Sequence, residues 1–289
     1  MLSIKVPSKP TFSPLRYPGG KSILYPHLRA LIRQNGLSDG TYVEPYAGGA
    51  GAALALLITG EISRVVINDL DPAIYSFWLL ATKYSDELSA RIAAASLTME
   101  EWDQQRRIYK RCDAQDPISL GYAAFYLNRT NRSGVMNAGA IGGKSQTGTY
   151  RLDARFNKKS LIERVRLIEL YADRIEVLNR DGKDLIGDFA ASHNTLVYAD
   201  PPYFDKGSTL YLNSFGSEDH IDLANCLNGL HDAKWMLTYD DVPVIHDLYK
   251  ERRQSVLPIN YSAHRPRKTN EVIVYSDALV LPEHSPHNI

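Results

Sequence analysis

The chain has 289 residues, 44% of them hydrophobic and 23% charged, an ordinary soluble composition with apolar material for one large core or for a domain carrying a substantial insertion. Its 33 basic and 33 acidic side chains cancel, so whole-chain charge singles out no partner. The two cysteines, Cys112 and Cys226, make neither a disulfide framework nor a C-x-x-C site, and a reducing cytoplasm is the expected setting. The longest apolar run, Ala50 to Ile58, is too short for a bilayer, and the N-terminus carries no signal-peptide core. The histidines lack metal-ligand spacing, so neither a membrane nor a metal is expected.

Residues 1–13 read as a loose arm. Leu15-Arg16-Tyr17-Pro18-Gly19-Gly20-Lys21-Ser22 reads as a turn leading into an amphipathic helix from about Ile23 to Gln34. Gly-Gly-Lys-Ser invites a phosphate-loop reading, but the required earlier glycine is Leu15 here and Ala138 before the second copy at Gly142–Ser145. Thr41–Glu44 is a strand. After it come Pro45-Tyr46-Ala47-Gly48-Gly49-Ala50-Gly51 and a helix from about Ala52 to Ile58. Strand, glycine turn and helix open a doubly wound sheet, with ligand expected at the strand's carboxyl end. Leu54 occupies the place of the last glycine of G-x-G-x-x-G, and Glu44 and Tyr46 suit a cationic or neutral ligand better than a pyrophosphate. Glycines serving only close packing are the bland alternative. Arg64–Asp69 is the next strand, and its terminal acid lies 18 residues after Gly51, where ribose hydroxyls are commonly held. A solvated strand-end Asp is the competing reading.

From Pro72 to about Gln115 the pattern is helical, and Ile118–Leu127 is a further buried helix. The tract Asn128–Asn137 and the glycine-rich stretch to Gly148 are long for a connector. Between Gly121 and Ser160 lie Arg129, Arg132, Lys144, Arg151, Arg155, Lys158 and Lys159 against the single acid Asp153, a net +6 on 40 residues. With Asn128, Ser133 and Asn137 interleaved, the segment points to nucleic acid rather than to a merely solvated loop. Ser160 is a candidate N-cap with Glu163 behind it, Ile175–Asn179 is a strand, and Asp184-Leu185-Ile186 reads as loop.

Thr195–Tyr198 is a short buried strand, and Asp200-Pro201-Pro202-Tyr203 ends it. Prolines cannot donate to a sheet, so an acid, bare carbonyls and a flat ring project beyond the strand. Asp200 and the Pro201 carbonyl can accept from a planar amine while Tyr203 stacks on its ring. An incidental strand-ending turn is the plain alternative. Phe204 to Phe215 reads as a mobile segment beside a site. A helix over about Glu218–Leu230, a strand over Lys234–Tyr239, a helix over 242–250 and a strand at Ser255–Leu257 follow. A second basic cluster with Arg265, Arg267 and Lys268 precedes Glu271–Tyr275, which closes the sheet.

The order RYPGGK, VEPYAGGAGAAL, VINDLD, a long insertion with FYLNRTNRSG, then YADPPYF and TNEVIVY resembles the Dam-like (alpha-group) DNA adenine N6-methyltransferases over nearly the whole chain. The resemblance implies a Rossmann-like class I methyltransferase sheet, an α/β domain over 1–75 and 158–289, with a mainly helical target-recognition domain inserted at 76–157. It implies S-adenosylmethionine against Tyr17, Lys21, the turn of Glu44, Pro45, Tyr46, Ala47, Gly48, Gly49 and Gly51, and Asp200. Asp69 would hold the ribose, Asp184 the adenine amine, and the Leu185 backbone would lie beside it. Tract 128–137 resembles the hairpin that enters DNA, and Arg132-Ser133 stands where Dam itself carries an aromatic wedge. The activity implied is site-specific methylation of a flipped adenine in double-stranded DNA. The protein would act as a monomer in a bacterial or phage-encoded cytoplasmic setting, with a cognate restriction endonuclease left open. A non-catalytic DNA-binding protein on the same scaffold is the competing class, and an RNA or cytosine N4 methyltransferase a third. The intact Asp200 and glycine turn favour the enzyme.

Overall fold

A computed structural model describes residues 12–16, 21–204, 215–261 and 267–283, without the side chains of Ser22, 259–261 and 267–269. Tyr17, Arg265 and most of the stretch between Phe204 and Phe215 therefore lie outside the described residues, as do the side chains of Arg267 and Lys268.

Among the described residues seven strands form one sheet: β1 (Thr41–Glu44), β2 (Arg64–Asn68), β3 (Ile175–Leu178), β4 (Thr195–Ala199), β5 (Trp235–Asp240), β6 (Arg253–Tyr261) and β7 (Arg267–Tyr275), in the order β3-β2-β1-β4-β5-β7-β6. β1 to β5 are mutually parallel, while β7 runs antiparallel to both β5 and β6. The last strand thus inserts between its two predecessors rather than lying at the rim. This is the Rossmann-like methyltransferase sheet that the sequence implies.

The central strands read as near-continuous apolar runs because both faces are covered. Alternate residues divide the core. Tyr42, Val65, Ile67, Leu196, Tyr198, Met236, Ile273 and Tyr275 join one cluster, while Val43, Val66, Val197, Ala199, Trp235, Leu237, Val272 and Val274 join another. The first face packs on α1 (Tyr25–Gln34), α2 (Gly51–Ile58) and the helices that lie between β2 and β3: α3 (Pro72–Lys83), α4 (Ser85–Ala94), α5 (Met99–Arg111), α6 (Pro117–Thr130) and α7 (Lys158–Glu169). The second packs on α8 (Gly182–Ala190), α9 (Ser217–Asn228) and α10 (Pro243–Leu248).

Local chemistry starts these helices. Asp71 before Pro72 accepts the Ala73 N–H at 2.8 Å, and Asp116 before Pro117 accepts that of Ser119 at 3.1 Å. α6 crosses α3 at Gly121, where a Cβ would stand 2.5 Å from the Ser76 carbonyl oxygen, so only glycine permits that approach. Two expectations are corrected. The N-cap of α7 is Asn157, whose side chain accepts from the Ser160 N–H at 3.0 Å, so Ser160 lies inside the helix. Asp184-Leu185-Ile186 is helical, because Asp181 caps α8 through the Lys183 N–H at 2.7 Å.

Candidate active site

The parallel strands bring four acids to one end of the sheet. Glu44 closes β1, Asp69 follows β2, Asp200 follows β4 and Asp240 closes β5. A short 3-10 turn, Lys21–Leu24, supplies a lysine among them.

After β1 the chain enters a turn in which Gly48 and Ala50 take left-handed φ values of 46° and 43°. The turn is pinned on two sides. The Gly48 N–H donates to Asp69 Oδ2 at 2.9 Å, and Trp78 Nε1 donates to the Gly48 carbonyl at 2.8 Å. Glu44 accepts the Ala53 N–H of α2 at 3.1 Å, an acid placed at a helix N-terminus. Tyr46 leans over Gly182, where a Cβ would meet its ring at 2.5 Å, and meets Phe215 edge-on at 5.7 Å. Asp181, which the sequence reading passed over, closes this side. Its signal was the Asp-Gly pair in the turn after a strand.

At the Asp200 turn, Oδ1 accepts the Thr238 hydroxyl at 2.8 Å and meets the Lys21 ammonium at 3.1 Å. Lys21 Nζ also donates to the Tyr203 hydroxyl oxygen at 3.0 Å and to both oxygens of Glu271 at 2.7 and 2.9 Å. Tyr203 in turn donates to Glu271 Oε1 at 2.6 Å. Lys21, assigned to a cofactor from the sequence, is thus built into an ionic network around Asp200. Glu271 was not singled out at all.

Several of these carboxylates resist ionisation. Burial raises Glu44 to about 8, with the Asp200 charge adding to it. Burial and then Asp71 raise Asp69 to about 7, against the N–H groups of Asp71 and Gly48. Burial raises Asp200 to about 6, opposed by Lys21 and supported by Glu271. Among the described residues these strand ends hold more acid than the Lys21 ammonium can balance.

Within the insertion, α6 runs on through Thr130 into a tight loop closed by the antiparallel bridge between Asn131 and Ala140. Asn128 and Asn131 are fully buried. Asn128 accepts the Arg16 N–H at 2.7 Å and donates to the carbonyls of Arg16 and Gly134 at 2.7 and 2.9 Å. Asn131 accepts from Trp102 Nε1 at 2.7 Å and donates to the carbonyls of Val135 and Met136 at 3.1 and 2.8 Å. Arg132, Ser133 and Asn137 stay exposed on the loop, Ser133 at a left-handed φ of 57°.

The family model for D12 class N6 adenine-specific DNA methyltransferases matches residues 17–266. The chain belongs to that family. No curated protein matches it in sequence. Among solved structures, the rRNA methyltransferase aviRa from Streptomyces viridochromogenes aligns over 95% of this chain and 88% of its own, with 17% identity and a TM-score of 0.40.

In this adenine-specific methyltransferase the strand ends gather Lys21, Glu44, Tyr46, Gly48, Asp69, Asp200 and Tyr203 at one rim of the sheet. Pro45, Ala47, Gly49 and Gly51 complete the turn, and Pro201 and Pro202 the strand exit. Asp184 is exposed in the first turn of α8, and the Leu185 side chain is fully buried in the core. The DNA candidates also divide. Asn128 is a correction, because its amide is consumed inside the fold. Arg129 braces the carbonyls of Arg155 and Pro14, and its guanidinium is pulled down to about 9 by burial and by Arg16, Arg164 and Arg155. Lys158 donates to the Ala93 carbonyl at 2.8 Å. Arg132, Ser133, Asn137, Lys144, Arg155 and Lys159 remain exposed. Among the described residues no acid, histidine or cysteine cluster could hold a metal, and no helix is long and apolar enough to cross a membrane.

Proposed function

We propose that this DNA adenine methyltransferase uses S-adenosylmethionine to methylate the N6 amine of an adenine flipped out of duplex DNA at a defined sequence. The observation carrying the reading is the Asp200 turn at the end of the central strand β4, beside the Gly48 turn of β1. The acid-rich rim fits a cationic cofactor: Glu44, Asp69 and Asp200 are all held above their ordinary ionisation range, and an incoming positive charge relieves each. S-adenosylmethionine supplies an electrophilic methyl group on a sulfonium. Asp69 would accept from its ribose, the Gly48–Gly51 turn would lie against it, and Tyr46 and Asp181 would border its base.

An adenine amine is a poor nucleophile because its lone pair is delocalised into the ring. Asp200 Oδ1 is already engaged by Thr238 and Lys21, so Oδ2 is the oxygen offered to one N–H. The Pro201 carbonyl takes the other N–H, which favours a tetrahedral nitrogen with its lone pair toward the methyl. N6 would take the methyl group in exchange for a proton, which would leave by way of Asp200 or solvent, and the cofactor would depart as its neutral thioether. Orientation of this kind lowers barriers by roughly 7–11 kcal/mol in favourable cases. The base is unreachable in a stacked duplex, and stacking on Tyr203 returns about 1–3 kcal/mol of the flipping cost.

Segment 76–157 serves target recognition in this reading, with Arg132, Ser133 and Asn137 toward base edges, and Lys144, Arg155, Lys159 and the Arg265–Lys268 cluster toward phosphates. The protein acts as a cytoplasmic monomer, and a partner endonuclease is a matter for the genetic neighbourhood. Incubation with tritiated cofactor and either duplex DNA or RNA tests the reading. Label on N6-methyladenine in DNA that disappears with Asp200→Ala is the expected result. Label confined to RNA or to cytosine would replace it.

A further inference from the structure

Glu271 lies in β7 opposite Asp240 of β5 and retains only 2% of its accessible surface. A carboxylate buried in a sheet is costly unless it is paired and hydrogen-bonded. Its described partners include Lys21 and Tyr203, which flank Asp200. It takes the Lys21 ammonium on both oxygens, at 2.7 and 2.9 Å, and the Tyr203 hydroxyl on Oε1 at 2.6 Å. Lys21 stands closer to Glu271 than to Asp200, which it meets at 3.1 Å.

We infer that Glu271 is a positioning residue for methyl transfer, drawing the Lys21 charge away from Asp200 and fixing the Tyr203 ring by its hydroxyl. The inference rests on the reading of Asp200 and Tyr203 as the groups that meet the target adenine. An ammonium paired with Asp200 alone would hold that carboxylate tightly and weaken it as an acceptor for the amine. A second carboxylate on the same ammonium divides the attraction, so Asp200 remains available. The phenol, held by Lys21 and Glu271 together, sets the tilt of the ring that is to receive the base. One residue of the antiparallel strand thereby coordinates both halves of the Asp200–Tyr203 turn.

The distinguishing readout is the acid limb of the kcat profile. Asp200 is faced by Lys21 from the 3-10 turn, Glu271 from β7 and Thr238 from β5; Tyr198, Tyr42, Glu44 and Tyr239 also lie within range of its charge. Removing the Glu271 charge leaves Lys21 acting on Asp200 unopposed, so Asp200 ionises at lower pH. Glu271→Gln should lower the kcat plateau about 10- to 100-fold and move its acid limb about one pH unit down, with the cofactor KM within about threefold. Glu271→Asp keeps the charge and shortens the reach, so the limb should return to its wild-type position while kcat stays reduced. Tyr203→Phe should lower kcat without moving the limb. Wild-type kcat and limb in Glu271→Gln would overturn the inference, as would equal losses in Glu271→Gln and Glu271→Asp with the limb unmoved. If Glu271→Gln does not fold, full activity in both Glu271→Asp and Tyr203→Phe overturns it instead. A wild-type protein that methylates no adenine would refute the functional reading itself, which is a different outcome.

Discussion

The Gly48 N–H and the Asp69 carboxylate are joined at 2.9 Å, so the turn after β1 and the acid after β2 form one cradle rather than two neighbouring features. Asp69 Oδ1 meanwhile holds the Asp71 N–H at 2.9 Å, at the entry to α3. The acid proposed for the ribose is therefore also a brace. Asp69→Ala is expected to weaken S-adenosylmethionine binding at least about tenfold and to cost about 1–3 kcal/mol of stability, through two stranded N–H groups. Gly48→Val, which forces a side chain onto a left-handed backbone, should weaken binding likewise. Calorimetric titration with parallel thermal melts measures both, and unchanged affinity in the two variants would remove the cofactor from this cradle.

The raised carboxylates carry a pH dependence whose sign is opposite to that of a surface salt bridge. Glu44, Asp69 and Asp200 ionise near 8, 7 and 6 in the folded chain but near ordinary carboxylate values when unfolded. The folded state therefore binds more protons between those limits. Its extra stability is full below the unfolded values and is lost as pH rises through about 6 to 8. The cofactor-free protein should melt at a lower temperature at pH 8.5 than at pH 6, about neutral buffers and at fixed salt. Cofactor affinity should run the other way, rising over the same window as the acids ionise toward a cation. A melting temperature that climbs steadily to pH 8.5 would contradict this assignment.

Asn128 illustrates how a residue type suited to base readout can be spent on architecture. Its amide bonds Arg16 twice and Gly134 once, tying the base of the loop closed by the Asn131–Ala140 bridge to the segment that precedes Lys21. Asn128→Ala would leave those buried backbone groups unsatisfied and should cost about 1–3 kcal/mol. Urea denaturation should register the loss, while the methylated sequence stays the same in whatever protein remains folded. A relaxed target sequence at unchanged stability would return Asn128 to the DNA.

The sheet was legible because strands covered on both faces must be apolar throughout, as Leu196, Val197, Tyr198 and Ala199 are. The position of β7 was not, since nothing local in Glu271–Tyr275 says which strand it will pair with. The same gap hid Glu271: one acid in an apolar strand acquires meaning only when Lys21, 250 positions away, arrives beside it. The D-P-P-Y turn and the glycine turn were readable because their chemistry is contiguous. Asn128 was misjudged because composition reports which groups could bind phosphate or bases, and burial decides which of them are still offered, whereas Arg129 and Lys158 hold backbone carbonyls without being fully buried. The helix at α8 was missed for a different reason, as the capping Asp181 was overlooked.

The exposed residues of the insertion separate into backbone and base candidates by how they are held. Lys159 projects from the first turn of α7 and is exposed, so it should contact phosphate; Lys159→Ala should weaken all duplexes alike and reduce the salt slope by about one. Arg132 differs. Its own N–H is fixed to the Gly139 carbonyl at 3.0 Å beside the Asn131–Ala140 bridge, so its exposed guanidinium starts from a rigid base. A planar fork presented from a rigid loop can make paired hydrogen bonds to a guanine edge, and losing such a pair costs about 1–3 kcal/mol of discrimination. Arg132→Ala should therefore admit related sequences to methylation while leaving cofactor affinity as it was. Long-read profiling of methylated adenines in a host expressing each variant decides the assignment. A broadened motif places Arg132 on a base edge, whereas an unchanged motif with uniformly fewer methylated sites places it on the phosphate backbone and moves the reading to Ser133 and Asn137.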